Sequence, residues 1–161
     1  MPQLNKGGKY VFGLSAISNR REILFPAETL EQYPVQKEGR IIIFTGSKIT
    51  GGFCVTSKQL LGQSKLKHIL DDCPALSQYT IEGEFVRYKG RGYTWLHISQ
   101  NGVVRLPENT MRYLNLSCGD ILMSIKSSDI AFTMGARGPL MDKVHSYPGH
   151  IKEYRVTCCG Q

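Results

Sequence analysis

The sequence predicts a mainly β fold with short helices, an α+β class built from two tandem units of β-β-α-β-β order. Three observations support this class. The chain resembles itself when it is shifted by 81 positions, and each half carries the same succession of strand, proline, short helix, glycine and strand. The third is that 41% of its 161 residues are hydrophobic, which is enough for a packed core. We expect the units to span 1–81 and 82–161 and to pack as one globular body.

The repeat is carried by apolar positions, prolines and glycines more than by identical residues. Residues 23–26 align with residues 104–107 at the offset of 81 and, after a slip of one position, residues 39–42 align with residues 119–122. A unit of this size buries too little apolar surface to be stable alone. We therefore expect the two units to share one core, as a pseudo-dimer within a single chain.

The second half shows the pattern most clearly. Pro107 ends a strand and favours a helix start because its ring fixes φ and it lacks an N–H group. Residues 108–114 are therefore expected to form a helix with Met111 and Leu114 buried. Runs rich in β-branched and aromatic side chains, separated by turn residues, predict the strands of this half at 93–98, 103–106, 121–125 and 130–134.

The first half repeats this order, with a helix expected at 26–32 and strands at 10–17, 22–25, 40–45 and 52–56. Each unit then has a polar tail. Residues 58–72 are expected to be helical, with Leu61, Leu66, Ile69 and Leu70 as the buried positions, and residues 142–153 form a weaker counterpart. A further strand over 80–88 is expected to link the halves.

The charge of the chain favours an anionic partner, with nucleic acid first. Twenty Lys and Arg residues against 13 Asp and Glu residues give a net charge of +7, divided almost evenly between the halves. The candidate DNA-binding residues lie on predicted turns, strands and a helix: Arg20, Arg21, Lys89, Arg91, Arg105 and Arg112. At each of these positions the alternative is a solvated cation that contributes only solubility.

The order of elements resembles the AbrB/SpoVT/MazE swapped-hairpin family. The resemblance is carried by residues 102–107 and 114–122 in the second copy, and by residues 21–26 and 35–42 in the first. It implies tandem swapped-hairpin units that form an intertwined, barrel-like body, and double-stranded DNA bound by basic residues of the first hairpin and the short helix. It also implies a homo-oligomer.

The chain departs from the family pattern at several basic positions. Glu22 and Val103 stand where the family has an arginine, and Glu31 is the counterpart of Arg112. Two hypotheses therefore remain. The first is a DNA-binding transcription regulator of the AbrB/SpoVT type, and the alternative is a non-DNA oligomeric interaction module, or one that binds a small anion or effector.

Other classes of protein are not expected. The sequence carries no catalytic signature, so we expect no enzyme and no cofactor, and we expect a cytoplasmic protein without a membrane segment. The odd number of cysteines predicts reduced thiols, with Cys54, Cys73 and Cys118 as small buried side chains. A zinc site is not expected at the C-terminal group of His145, His150, Cys158 and Cys159, because adjacent cysteines are poorly placed to chelate one tetrahedral ion.

Overall fold

The computed structural model describes residues 11–146 and 151–156. These residues form a mixed α/β structure made mostly of strands, with ten strands, six short α-helices and one 3-10 helix. At this level the expected class, mainly β with short helices, is confirmed. None of the helices in these two ranges is long and apolar enough to cross a membrane.

The element order repeats as the sequence predicts. The strands are β1 (Val11–Ala16), β2 (Glu22–Leu24), β3 (Arg40–Thr45), β4 (Phe53–Thr56), β5 (Val86–Tyr88), β6 (Arg91–His97), β7 (Val103–Arg105), β8 (Ile121–Lys126), β9 (Phe132–Gly135) and β10 (Glu153–Tyr154). The helices are α1 (Ala27–Gln32), α2 (Lys58–Gly62), α3 (His68–Asp72), α4 (Pro74–Ser77), α5 (Glu108–Leu114) and α6 (Pro139–His145), and a 3-10 helix spans Val35–Glu38. The order β1-β2-α1-β3-β4 in the first half thus returns as β6-β7-α5-β8-β9 in the second.

Equivalent prolines position the two equivalent helices. Pro26 and Pro107 stand immediately before α1 and α5, each with φ of −57°. A fixed φ near the helical value and the absence of an N–H group make proline well suited to this place. α5 ends at Asn115, whose left-handed backbone closes the helix, and its Met111 and Leu114 are buried as expected.

The two halves exchange strands. β1 pairs with β8, β3 pairs with β6, and β2 pairs with β7 in a separate two-stranded ribbon. The β4–β9 pair also joins the halves, whereas β3–β4 and β8–β9 are hairpins within one half. Each half therefore completes the sheet of the other.

The registers of these strands define a pseudo-two-fold axis. Ala16 pairs with Ile121 in β1–β8, and His97 pairs with Arg40 in β6–β3. Adding 81 to 16 gives 97, and subtracting 81 from 121 gives 40, so the second pair is the symmetry mate of the first. The sequence repeat is thus also a spatial repeat.

Two residue pairs lie on this axis. Ile23 faces Val104 in the ribbon, and because their numbers differ by 81 the pair is its own symmetry mate. Cys54 faces Thr133 in the β4–β9 pair, and this pair is also its own symmetry mate, at an offset of 79. The offset changes because the β8–β9 loop is two residues shorter than the β3–β4 loop.

One detail of the sequence alignment is wrong. The amide of Ile17 donates to the carbonyl oxygen of Asp120 at 2.9 Å, and the amide of Ile98 donates to that of Gly39 at 3.0 Å. Ile17 and Ile98 are symmetry mates, so Gly39 is the equivalent of Asp120. The slip that aligned Gly39 with Gly119 does not exist in space, because the offset of 81 continues unbroken into β3 and β8.

The main sheet is open in the described part of the chain. Its eight strands follow the order β10-β1-β8-β9-β4-β3-β6-β5, and no described pairing joins the two edge strands β10 and β5. The closed, barrel-like body implied by the family resemblance is therefore not observed. The strand exchange is present, but it builds an eight-stranded sheet with two edges and a separate ribbon.

Apolar clusters lie on both faces of this sheet. The main core is shared by the halves: the rings of Phe25 and Phe132, both fully buried, meet edge to face with centroids 5.3 Å apart. Along β3, Ile41 and Ile43 join this core while Ile42 points to the opposite face, as strand alternation requires. The opposite face carries two smaller clusters, one beneath α2–α4 and one beneath α6.

The segment after β4 is not the single helix expected over 58–72. It contains α2 and α3 separated by a turn, because the Ser64 hydroxyl donates to the Leu61 carbonyl oxygen at 2.8 Å and accepts from the Leu66 amide at 3.0 Å. Such local hydrogen bonds compete with the helical backbone pattern. Leu61 and Ile69 are buried as expected, but Leu70 is only half-buried and Leu66 is exposed.

Three smaller expectations also need correction. Of the strand expected over 80–88 only β5 forms, because residues 81–84 form a turn in which Gly83 has φ of 83°. The helix expected within 142–153 begins earlier, as α6, and part of that segment lies outside the described residues. Cys118 is exposed in the turn before β8, whereas Cys54 and Cys73 are buried.

Candidate nucleic-acid interface

Three of the predicted DNA-binding residues meet at one end of the β2–β7 ribbon. A shallow groove there, which we call the ribbon groove, is lined by Asn19, Arg20, Arg21, Glu22 and Arg105. Arg20 and Arg21 come from the turn between β1 and β2, and Arg105 comes from the end of β7. The antiparallel register of the ribbon brings these distant positions together.

Arg21 is fixed to the ribbon by its backbone and its side chain. Its carbonyl oxygen accepts from the Leu106 amide at 2.8 Å, and its Nε donates to the Leu106 carbonyl oxygen at 3.1 Å. The backbone has a positive φ of 62°, and the symmetry mate, Gly102, has φ of 87°. An arginine thus occupies a left-handed position that favours glycine, and its guanidinium is held beside Arg105.

An acidic residue lies among these arginines. Glu22 is the direct Cα partner of Arg105 in the ribbon and lines the same groove. The lining therefore contains three cationic side chains and one carboxylate. The basic residues do not form a face free of acids, and the carboxylate lowers the positive potential that would attract phosphate.

A second shallow groove with acidic side chains adjoins the first. It shares Glu22 and Arg105 with the ribbon groove and adds Glu82 and His97. The Glu82 carboxylate accepts from the His97 amide at 2.8 Å and lies 3.0 Å from His97 Nδ1. Charges of both signs therefore lie along the ribbon.

The other predicted DNA-binding residues lie elsewhere. Arg112 is exposed in the last turn of α5 and does not line the ribbon groove. Lys89 lies in the turn between β5 and β6 and Arg91 begins β6, at the edge of the main sheet, and both line a different cavity. Of the six candidates, the structure thus gathers three.

The aromatic side chains around Lys89 and Arg91 were not expected to form a cavity. The sequence signal was present in residues 88–93, where cations and glycines lie between two tyrosines. Phe44 and His68, which also line the cavity, come from elements distant in sequence. No pattern along the chain indicates that these residues meet.

Thiols and metal ligands provide no second site in the described ranges. Burial raises the pKa of the Cys54 thiol and that of the Cys73 thiol above the ordinary value for cysteine. No group of three potential metal ligands occurs within residues 11–146 and 151–156. His145 is exposed at the end of α6, while His150, Cys158 and Cys159 lie outside the described residues.

Two comparisons of the chain with known proteins find no match. No known family model matches the chain, and no curated protein matches it at a significant level. A functional proposal for this chain therefore depends on its own residues and on their arrangement.

Proposed function

We propose that this protein is a DNA-binding transcription regulator of the AbrB/SpoVT type, with two tandem swapped-hairpin units in one chain. The observation that supports the proposal is the exchange of strands about the ribbon, which brings Arg20, Arg21 and Arg105 into one groove. These side chains would contact the phosphates of duplex DNA, with Arg112 as a further contact. Phosphate contacts position a protein on DNA, and shape readout would then exceed base readout.

The pseudo-symmetry has a consequence for the assembly. The symmetry mates of Arg20, Arg21 and Arg105 are Asn101, Gly102 and Leu24, because each pair differs by 81. Within residues 11–146 and 151–156 the symmetry-related position therefore lacks these arginines, although the fold is repeated. A homodimer would supply two such grooves, which suits a palindromic DNA site.

Salt dependence provides the test of this proposal. Each phosphate contact on duplex DNA contributes about 0.9 to the slope of log affinity against log salt. Three or four contacts therefore predict that affinity falls about 40- to 150-fold between about 50 and 200 mM salt. Fluorescence anisotropy of a labelled mixed-sequence duplex measures this fall directly.

The quadruple variant R20A/R21A/R105A/R112A should lose the binding and the salt slope together. A matched control, K37A/K48A/K65A/K67A, removes four exposed charges from other parts of the surface. If the two variants lose affinity equally, net charge and not the ribbon groove accounts for the binding. Absence of binding at about 50 mM salt would overturn the proposal.

A specific observation favours the alternative function. Glu22 faces Arg105 in the groove, which is unfavourable for a phosphate surface. If the groove binds DNA, E22Q should strengthen binding, because it removes a like charge from the path of the phosphates. If E22Q changes nothing and the wild-type protein does not bind DNA, the second hypothesis, a non-DNA interaction or effector-binding module, replaces the first.

A further inference from the structure

A cavity of about 370 Å³ lies between the α2–α3 segment and the β5–β6 turn. Its walls are mostly apolar or aromatic, and they include Phe44, Leu61, Ile69, Tyr88 and Tyr93. This volume lies within the usual range for small-molecule sites, which combine an apolar lining with a few polar groups. We call it the aromatic cavity. It belongs to the face of the sheet opposite the main core.

The aromatic character of this face is confined to one of its two apolar clusters, each of which takes side chains from both halves of the chain. Phe44 is the symmetry mate of Ile125, and Trp95, which packs in the same cluster, is the symmetry mate of Leu14. Tyr93 pairs with Phe44, whereas Ile125 pairs with Val11, because β1 has a register shift between Val11 and Gly13. Phe12, the symmetry mate of Tyr93, packs into the main core on the other face of the sheet. The symmetry-related cluster beneath α6 is built from Val, Met, Ile and Leu side chains. The shared fold therefore does not by itself require aromatic side chains at these positions.

Two cations stand at the rim of the aromatic cavity because of the turn that carries them. Lys89 and Gly90 both have positive φ, at 47° and 85°, which is the geometry of a two-residue type I′ hairpin turn. Arg91 follows at the start of β6, donates to the Thr45 carbonyl oxygen at 3.3 Å and stacks 5.5 Å above the Phe44 ring. Lysine is not a preferred residue in this turn, so its presence is not explained by backbone geometry.

The lining of the aromatic cavity contains no Asp or Glu side chain. The Asp72 carboxylate contacts one lining residue, since it accepts from the Tyr88 hydroxyl at 2.5 Å. That hydrogen bond raises the pKa of Tyr88 to about 12, so its hydroxyl stays neutral further into the alkaline range than that of an ordinary tyrosine. The rim therefore has a positive charge that an anionic ligand can use.

We propose that the aromatic cavity binds a small aromatic carboxylate. The ring would lie against the stacked pair of Phe44 and Tyr93, whose centroids are 5.4 Å apart, and the carboxylate would bind Lys89 and Arg91. This proposal does not rest on DNA binding, because none of the ribbon-groove residues lines the aromatic cavity.

The single tryptophan makes the test direct. Trp95 packs in the same apolar cluster as Leu61, Ile69 and Tyr93, so its indole N–H signal in a two-dimensional NMR spectrum reports on this region alone. Titration with 2-naphthoate should shift that signal saturably. Titration with 2-naphthamide, which has the same ring but no charge, should show about tenfold weaker binding, because it loses the charge-assisted hydrogen bonds.

The double variant K89N/R91Q removes both charges, and asparagine suits the left-handed position of Lys89 better than lysine does. It should weaken 2-naphthoate binding about tenfold and leave 2-naphthamide binding unchanged, which also shows that the cavity is intact. The control K37Q/K126Q, in which two exposed lysines outside the lining are changed, should bind both probes as the wild type does.

Three results would overturn the proposal. The first is the absence of any saturable shift of the Trp95 signal up to about 5 mM 2-naphthoate. The second is equal affinity for the acid and the amide, which would show that no cation takes part. The third is unchanged 2-naphthoate binding in K89N/R91Q.

Discussion

Arg21 and Gly102 are symmetry mates, and both have a left-handed backbone, with φ of 62° and 87°. Their hydrogen bonds are equivalent as well: the Arg21 carbonyl accepts from Leu106 at 2.8 Å, and the Gly102 carbonyl accepts from Phe25 at 3.0 Å. The fold therefore imposes the same backbone conformation on an arginine and on a glycine. Only the arginine position adds a side chain to the ribbon groove.

This relationship predicts the effect of G102A. A Cβ at residue 102 would be strained by the positive φ and would lie 2.4 Å from Leu30 Cδ1, so the half-buried leucine has to move. We expect G102A to lower the free energy of unfolding by about 1 to 3 kcal/mol, as measured by urea denaturation.

A comparison with G90A separates the strain of the positive φ from the contact with Leu30. Gly90 has φ of 85°, and nothing lies within 4 Å of a Cβ placed there, so only the backbone conformation is strained. We expect a cost of about 1 kcal/mol. A cost for G102A no larger than that for G90A would show that Leu30 does not resist the added methyl group.

The exchange of strands predicts that neither half folds as a monomer. β1 has its described partners, β8 and β10, in the second half, and β6 pairs with β3 of the first half. Chains of residues 1–81 and 82–161 made separately should be unfolded or self-associated, and an equimolar mixture should regain the folded spectrum. Circular dichroism with analytical ultracentrifugation distinguishes these states, and a cooperatively folded monomeric half would contradict the prediction.

A buried hydrogen bond between the halves predicts strong coupling of two substitutions. The Thr29 and Ser124 hydroxyls are 2.8 Å apart, and both residues are fully buried. Either T29V or S124A should destabilise the protein by about 1 to 3 kcal/mol, because each leaves the other hydroxyl unpaired.

The double variant T29V/S124A should cost less than the sum of the single variants, because it removes both polar groups. A thermodynamic cycle from urea denaturation measures this difference, and a coupling near zero would show that the bond contributes nothing. T110V is a useful comparison, since Thr110 is the symmetry mate of Thr29 but donates to the Gly83 carbonyl oxygen at 2.9 Å.

The cysteines predict selective alkylation. Cys118 is exposed, whereas Cys54 and Cys73 are buried and burial raises the pKa of both thiols. The raised pKa keeps these two groups as thiols at pH values where an ordinary cysteine begins to ionise, and the thiolate is the reactive form. Iodoacetamide at pH 8 followed by peptide mass spectrometry should find Cys118 modified before Cys54 and Cys73, with C118S as the control. Equal rates at the three positions would contradict this prediction.

Local sequence patterns predicted strands and helices well where the intrinsic preference of the residues agrees with their tertiary packing. The bounds expected for β3 and α5 are those observed, because each has an apolar pattern with a clear stop, at Gly46 and at Asn115. The expected helix over 58–72 failed where the Ser64 hydroxyl bonds to the backbone, a choice that depends on a few local hydrogen bonds. Cys118 was expected to be buried because cysteine is usually a buried residue, but it lies exposed in a turn.

Pairing and charge placement could not be read from the sequence. The repeat indicated two equivalent units, but only the three-dimensional structure shows that β1 pairs with β8. It also shows that no described pairing joins the two edge strands of the main sheet. The candidate cations are all exposed or partly exposed. Some of them line the ribbon groove and others line the aromatic cavity. This placement depends on contacts between residues far apart in sequence, such as Arg21 and Leu106.

Placing two strand-exchanging halves in a single chain allows symmetry-related positions to carry different residues. In a homodimer every substitution appears twice, at symmetry-related places, and a change that suits one place has to be tolerated at the other. Here the residues of the symmetry-related pairs Phe44 and Ile125, and Arg21 and Gly102, differ, although the strand registers are equivalent except at the shift between Val11 and Gly13. The two symmetry-related clusters on one face of the sheet can therefore differ, with an aliphatic cluster beneath α6 and an aromatic cluster beneath α2–α4 that is available for recognition.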